Sequence, residues 1–410
     1  MTYSHHTLRS ALNYRATFTV IVVLFFTWGF LNALNEVLVA DLRAIFHLTY
    51  RSATLVQFTF FSTCFAFSFL SSRLVATLGY KVTMIVGLLT MSFAALCFVF
   101  ASTVSTFGSF LCAIAAMAAG STALQTAAGP YTSLLGPEAS ASSRFSLALG
   151  VNSLGAMLAP SFGAWLILRD TTSVASQSDD LRRPYLVIAA GLACLAGVIL
   201  AVQLPAVRNS NSANSSRDVR YRDLLSHPRL IFGVLAMFLY VGAEIAIGSL
   251  LINFLRQPDT SALPIQRAAF LASFYGGGAM IGRFAGWVVL KSVRPQLVLS
   301  IAAAFAFSLV SMSVVSTGTL ASFSLLAVGL CNSVMVPIIF TTAISGLGPL
   351  TGKASGLLVA ALVGGALVPL SQGALADRIG LQQSFMLPGI CYLAICGYGV
   401  ISQRYSVSVM

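Results

Sequence analysis

An all-α membrane protein of twelve spans in two sets of six is the fold class this sequence predicts, and three observations predict it. Hydrophobic residues make up 57% of the 410 and charged residues only 8%, against roughly 25% charged in soluble domains. With a mean hydropathy of +0.89, there are too few charges to cover a water-facing surface. The apolar runs are long and continuous, matching the roughly 20 residues a helix needs to cross hydrocarbon, rather than the short alternating segments of a membrane barrel. Finally, one sustained polar stretch, NSNSANSSRDVRYRD, divides the chain near its middle.

Taken in order, the first six spans fall at approximately 17–40, 52–76, 82–102, 105–135, 143–168 and 184–206, and the second six at approximately 229–255, 265–290, 295–315, 318–345, 353–376 and 383–403. This predicts an N-terminal bundle over 1–206, a linker over 207–228 and a C-terminal bundle over 229–410. The first apolar run begins after residue 15 and continues to full span length, so no cleavable signal peptide is expected. The seven cysteines, odd in number and all within apolar segments, form neither a disulfide framework nor a metal-ligand spacing.

A net charge of +12 is compatible with a nucleic-acid partner, but the basic residues are scattered over loops and form no stripe, so none is expected. With the N-terminus inside, fifteen Lys and Arg fall on the inner side and eight on the outer. The positive-inside rule then places both termini and the linker in the cytoplasm. In that orientation the Asn-Ser-Ser sequon at Asn214 is not glycosylated.

The two halves resemble each other. LQTAAGPYTSLLGPEASASSRFSLALGVNSLGAMLAP and VMVPIIFTTAISGLGPLTGKASGLLVAALVGGALVP each carry a proline within a span, then LGP, a short turn containing Ser, and a helix reaching Pro160 or Pro369. SSRLVATLGYK pairs likewise with IGRFAGWVVLK. Parallel six-helix repeats are the plan of the major facilitator fold, whose substrate site lies near the bilayer midplane between the halves.

FFTWGFLNALNEVLVADLRAIFHLTYRSATLVQFTFF, LQTAAGPYTSLLGPEASASSRFSLALGVNSLG and YVGAEIAIGSLLINFL resemble the fucose, galactose and glucose proton symporter family, a branch of the major facilitator superfamily. The likeness covers nearly the whole chain and is strongest in spans 1, 4, 5 and 7. Gln125 and Glu244 bring it nearer the glucose and galactose branch. The resemblance implies a multi-pass carrier of the bacterial inner membrane that takes up a monosaccharide with a proton by alternating access, with no cofactor and no enzymatic activity. The family's acidic position in span 1 corresponds to Glu36; its acidic position in span 4, as the L-fucose members have it, corresponds here to Gln125, which does not titrate.

The residues support that reading independently. Of eleven acidic residues only Glu36 and Glu244 fall within spans, where a carboxylate costs roughly 2.5 to 3.5 kcal/mol on insertion scales and so usually lines a substrate or ion path. Successive residues on a helix advance by about 100°, which puts Trp28, Asn32 and Asn35 on one face with Glu36 at its margin. That face offers an aromatic plate, two amides and a carboxylate, a set suited to the apolar face and hydroxyls of a pyranose; the competing use of the two amides is bonding between helices. Glu36 and Glu244 are the expected proton-coupling residues, Glu36 the first of them and Glu244 also a sugar acceptor. Trp28, Asn32, Asn35, Gln57, Gln125, Asn152 and Glu244 are the expected sugar-binding set, with inter-helix bridging an equal use for Gln57 and Asn152. Asn253 and Asn332 carry less weight. Arg283 reads first as part of a cytoplasmic gate opposite Arg73, with a counter-ion for Glu244 as the rival reading. GGGAMIG (276–282) has the glycine density of a phosphate loop but neither the preceding strand nor the Lys, so close helix packing is expected there. Sodium coupling, a fucose or N-acetylglucosamine substrate, and a non-transporting sensor on the same fold are the alternatives.

Overall fold

A computed structural model describes residues 17–33, 50–104, 106–167, 177–202, 204, 221–258 and 260–407. Among these, every regular element is helical. The expected sites Asn35 and Glu36 and most of the linker lie outside the described residues. Helix α1 is Thr17–Ala33. A single helical stretch then runs Tyr50–Val104, 55 residues, which at about 1.5 Å per residue is far longer than a bilayer is thick. It is two spans, α2 and α3, joined at Gly79, whose φ of 80° and ψ of 172° leave the helical region. The turn expected over 77–81 therefore shrinks to one residue, one that has no Cβ to strain at positive φ. The rest of the first half is α4 (Phe107–Leu134), α5 (Ala141–Ile167) and α6 (Gln177–Ala201).

The second half comprises α7 (Pro228–Leu255), α8 (Ile265–Val289), α9 (Pro295–Val315), α10 in two segments (Gly318–Asn332 and Met335–Ile344), α11 in two segments (Thr351–Ala360 and Gly364–Ile379) and α12 (Met386–Val407). Nine of the described helices are long and apolar enough to cross a membrane. Twelve spans result once Gly79 divides one of those nine and α1 and α8 are added. Helix α1 is described over Thr17–Ala33 only, and α8 carries the glycine run and Arg267 and Arg283, which dilute its hydropathy.

The sequence repeat has a structural counterpart. After α4, Gly136 adopts φ 93°; after α10, Gly348 adopts φ 49°. Each LGP belongs to a turn leading through a 3-10 segment, Glu138–Ser140 or Gly348–Leu350, into the next helix. A glycine in the left-handed region ends a helix without Cβ strain. The prolines differ in effect. Pro130 sits inside an unbroken α4, whereas α10 is interrupted at Ser333 and Val334, just before Pro337. Proline has no N–H for the carbonyl four residues back and its ring crowds that carbonyl, here that of Ser333.

The chain forms two compact units. Unit 1 holds Met1–Glu138, Val151–Asp218 and Thr351–Val359; unit 2 holds Ala139–Gly150, Val219–Leu350 and Ala360–Met410. Each thus includes the first turns of one helix from the other sequence half. In unit 2 the start of α5 is tied down by Ser142 to Thr341 (2.6 Å), by the Ser143 hydroxyl donating to the Trp287 carbonyl (2.7 Å) and by Ser146 donating to the Arg283 carbonyl (2.8 Å). In unit 1 the start of α11 lies against α2, where a Cβ at Gly356 would stand 2.5 Å from the Ser72 Cβ. Unit 1 also holds the Lys81 ammonium, which donates to the carbonyls of Leu200 (2.9 Å) and Val202 (2.8 Å), placing a cation at the negative end of α6.

Candidate functional site

In unit 1 the expected residues collect where α1 crosses α5. The helices approach backbone to backbone because both contribute glycine: a Cβ at Gly29 would collide with the Asn152 carbonyl oxygen, and one at Gly155 with the Phe26 carbonyl oxygen. Small residues at such a crossing allow van der Waals contact along the backbone, a main source of helix association in lipid. Asn152 completes the junction, its Nδ2 donating to the Phe25 carbonyl at 2.9 Å. Of its two expected uses, bridging is thus in place. Trp28 stands edge-on to Phe25, with centroids 5.7 Å apart and planes at 74°. Its indole Nε1–H is buried with no acceptor among the described residues. Asn32, one turn further along α1, is half-buried.

Gln125 stands out on α4. From Met117 to Ser133 every residue is buried except Gln125, which keeps partial exposure, and its Nε2 donates to Ser121 Oγ at 3.2 Å. Gln57, on α2, is also half-buried. Asn152 and Trp28 both meet Phe25 where α1 crosses α5; Asn32 lies on α1, and Gln57 and Gln125 sit on two other helices of the same unit.

In unit 2, Glu244 on α7 is partly exposed and sits at the edge of a polar network within an otherwise apolar bundle. Asn332, fully buried at the end of the first α10 segment, donates through Nδ2 to the Tyr275 hydroxyl (2.7 Å) and accepts at Oδ1 from Tyr392 (2.8 Å). The three side chains, from α8, α10 and α12, thus meet at the Asn332 amide. The Tyr275 hydroxyl also lies 3.4 Å from the Glu244 backbone carbonyl. The Tyr240 hydroxyl, one turn before Glu244 on α7, donates to the Asn332 backbone carbonyl at 3.1 Å. Buried polar groups cost little when all are satisfied, and such networks specify one arrangement of their helices.

Glycine allows α8 and α10 to come this close. A Cβ at Gly329 would collide with the Tyr275 carbonyl oxygen, one at Gly282 with Ser333 Oγ, and one at Gly278 would lie 3.3 Å from the Leu330 amide. Within GGGAMIG, Gly278 and Gly282 supply the close packing expected of it, while a Cβ at Gly276 or Gly277 would meet nothing within 4 Å. Asn332, given little weight as a sugar ligand, bridges helices instead, with Tyr240, Tyr275 and Tyr392 of spans 7, 8 and 12 as its partners.

The family model for the Major Facilitator Superfamily matches residues 16–369. A glucose/galactose transporter of Brucella abortus is 39% identical to this chain over 98% of it and 97% of the relative. An L-fucose-proton symporter of Escherichia coli is 31% identical over 93% of this chain and 92% of that one. Among solved structures, the crystal structure of the major facilitator transporter FucP in the outward conformation superposes with a TM-score of 0.88 at 28% identity, covering 95% of this chain and 99% of that chain.

Proposed function

The chain belongs to the Major Facilitator Superfamily, and from that premise we propose that it is a multi-pass monosaccharide carrier, not an enzyme, which takes up a glucose- or galactose-like hexose together with a proton by alternating access. The observation that carries this reading is the near full-length likeness to a glucose/galactose transporter and to an L-fucose-proton symporter, joined to a carboxyl within a membrane span, Glu244, on the helix that packs against a buried tyrosine and asparagine network. The bundles over 1–206 and 229–410 are its two moving halves. Its place is the bacterial inner membrane, with both termini cytoplasmic.

Trp28, Asn32, Asn35, Gln57, Gln125 and Asn152 supply the apolar plate and amides that a pyranose needs, and Glu244 a charged acceptor. Glu36 and Glu244 take up the proton. A neutral carboxyl crosses without the desolvation penalty of an anion, and each positive charge moved inward gains roughly 2.3 kcal/mol per 100 mV of membrane potential. Proton rather than sodium is the coupling ion in this reading, as the Escherichia coli relative is an L-fucose-proton symporter.

Sugar counterflow and pH-jump uptake in liposomes test the proposal. Glu36→Gln should keep counterflow and lose proton-driven accumulation. Glu244→Gln should weaken sugar binding about tenfold, since a hydrogen bond to a charged group contributes roughly 1.5 to 3 kcal/mol. Sugar binding without counterflow in the unaltered protein would make it a sensor, and accumulation that follows sodium at constant pH would reassign the ion.

A further inference from the structure

Helix α7 is gripped on two opposite faces. Residues advance by about 100° each, so Tyr240 and Glu244 lie within about 40° of one another, with Phe238 and Gly242 on the far side. There α7 meets α11 through glycine: a Cβ at Gly364 would collide with the Phe238 carbonyl oxygen, and one at Gly242 with the Val368 side chain. Such van der Waals contact sets how near two helices come, but it has no directional bond to fix the rotation of α7 about its own axis.

Directional bonds occupy the other face, and both lead to Asn332. The Tyr240 hydroxyl donates to the Asn332 backbone carbonyl at 3.1 Å. One turn on, the Glu244 backbone carbonyl accepts from the Tyr275 hydroxyl at 3.4 Å, and that hydroxyl itself accepts from Asn332 Nδ2 at 2.7 Å. A phenol has a single proton, so with the amide donating to it the Tyr275 hydroxyl is left to give to Glu244. The third tie, from Tyr392 of α12 to Asn332 Oδ1 at 2.8 Å, does not reach α7. Asn332 is itself firmly placed. It is fully buried, and one turn before it Gly329 brings α10 against the Tyr275 backbone, so α8 and the first α10 segment form one platform beneath this face of α7.

We propose that Asn332 is a positioning residue for the carrier, setting the rotation of α7 and with it the direction in which the Glu244 side chain meets the hexose. Its consequence for sugar rests on the carrier reading; the placement of Glu244 rests on the hydrogen bonds alone.

The experiment compares Y275F and Y240F, which cut the two routes to α7, with Y392F, which cuts the route to α12. All three tyrosines are buried, and each variant should lower the melting temperature. Calorimetric titration with hexose should show binding weakened about two- to tenfold in Y275F and in Y240F, the span of one neutral hydrogen bond, and unchanged in Y392F. In an E244Q background Y275F should cost less affinity than in the parent, because residues that act through one another are not additive. A second readout needs no sugar. In a chain stripped of its own seven cysteines and carrying E244C, the rate of reaction with a soluble maleimide should change on adding Y275F or Y240F and hold on adding Y392F. Unchanged affinity in Y275F and Y240F, equal weakening in Y392F, an undiminished effect of Y275F in E244Q, or labelling rates that respond alike to all three overturns the proposal. If the unaltered protein binds no hexose, the carrier reading fails and the labelling rates still decide the positioning. Should Y275F not fold, Y240F carries both readouts.

Discussion

At the scale of single residues, Gln125 and Asn152 look alike in sequence, each an amide in a span, and the structure separates them. Asn152 spends its Nδ2 on the Phe25 carbonyl, a buried residue's acceptor, while Gln125 is the partly open position in a buried stretch of α4. Asn152→Ala should therefore cost about 0.5 to 1.5 kcal/mol of stability by removing that bond between α1 and α5, lowering the melting temperature whether or not sugar is present. Gln125→Ala should leave the sugar-free melting temperature nearly unchanged and reduce the increment that sugar adds, consistent with loss of a neutral hydrogen bond of about 0.5 to 1.5 kcal/mol. Thermal unfolding in detergent, with and without hexose, checks both at once; equal effects from the two variants would put Gln125 among the structural amides. Sequence could not rank them, because the Asn152 partner is a backbone carbonyl 127 positions away and a carbonyl leaves no mark on composition.

At the scale of elements, the spans were legible and their interruptions were not. A run of about 20 apolar residues announces itself, and the repeat pointed to matched turns, which Gly136 and Gly348 supply. Two prolines in equivalent runs gave no sign that Pro130 would be accommodated in an unbroken helix while Pro337 would follow a break. The tyrosine and asparagine network was hidden for a related reason: a tyrosine counts as apolar when a span is being recognised, and its hydroxyl partners lie on other helices. The exchange of first turns by α5 and α11 is equally non-local. Because the break depends on a missing N–H and a crowding ring, Pro337→Ala should restore the bond to the Ser333 carbonyl and let α10 run straight. The Asn332 carbonyl would then move away from Tyr240. The expected outcome is a protein that folds, binds sugar and transports slowly. Initial uptake rates in liposomes measure it, and a wild-type rate would show that the break plays no part in transport.

At the scale of the whole molecule, what remains is which side of the membrane each end occupies, and there the argument is electrostatic. Fifteen of the 23 basic residues fall on one side of the predicted topology. Short loops rich in Lys and Arg stay in the cytoplasm, where anionic lipid also attracts them, at about 1 kcal/mol per basic residue near the surface. The linker carries several of those charges, Arg217, Arg220 and Arg222 among them, so its side decides the orientation of both halves together. A single cysteine placed at Ser212 in a chain stripped of its own seven cysteines should react with a membrane-impermeant maleimide only after cells are permeabilised. The outcome matters beyond topology, because two halves with an even number of spans share one orientation: if the linker is outside, both termini are outside as well. Every loop assigned to the cytoplasm, including the turns between α4 and α5 and between α10 and α11, would then face the other compartment. Labelling of intact cells would thus invert the membrane sides of the proposed uptake path, while protection until permeabilisation leaves proton and sugar entering from the side that carries the eight remaining basic residues.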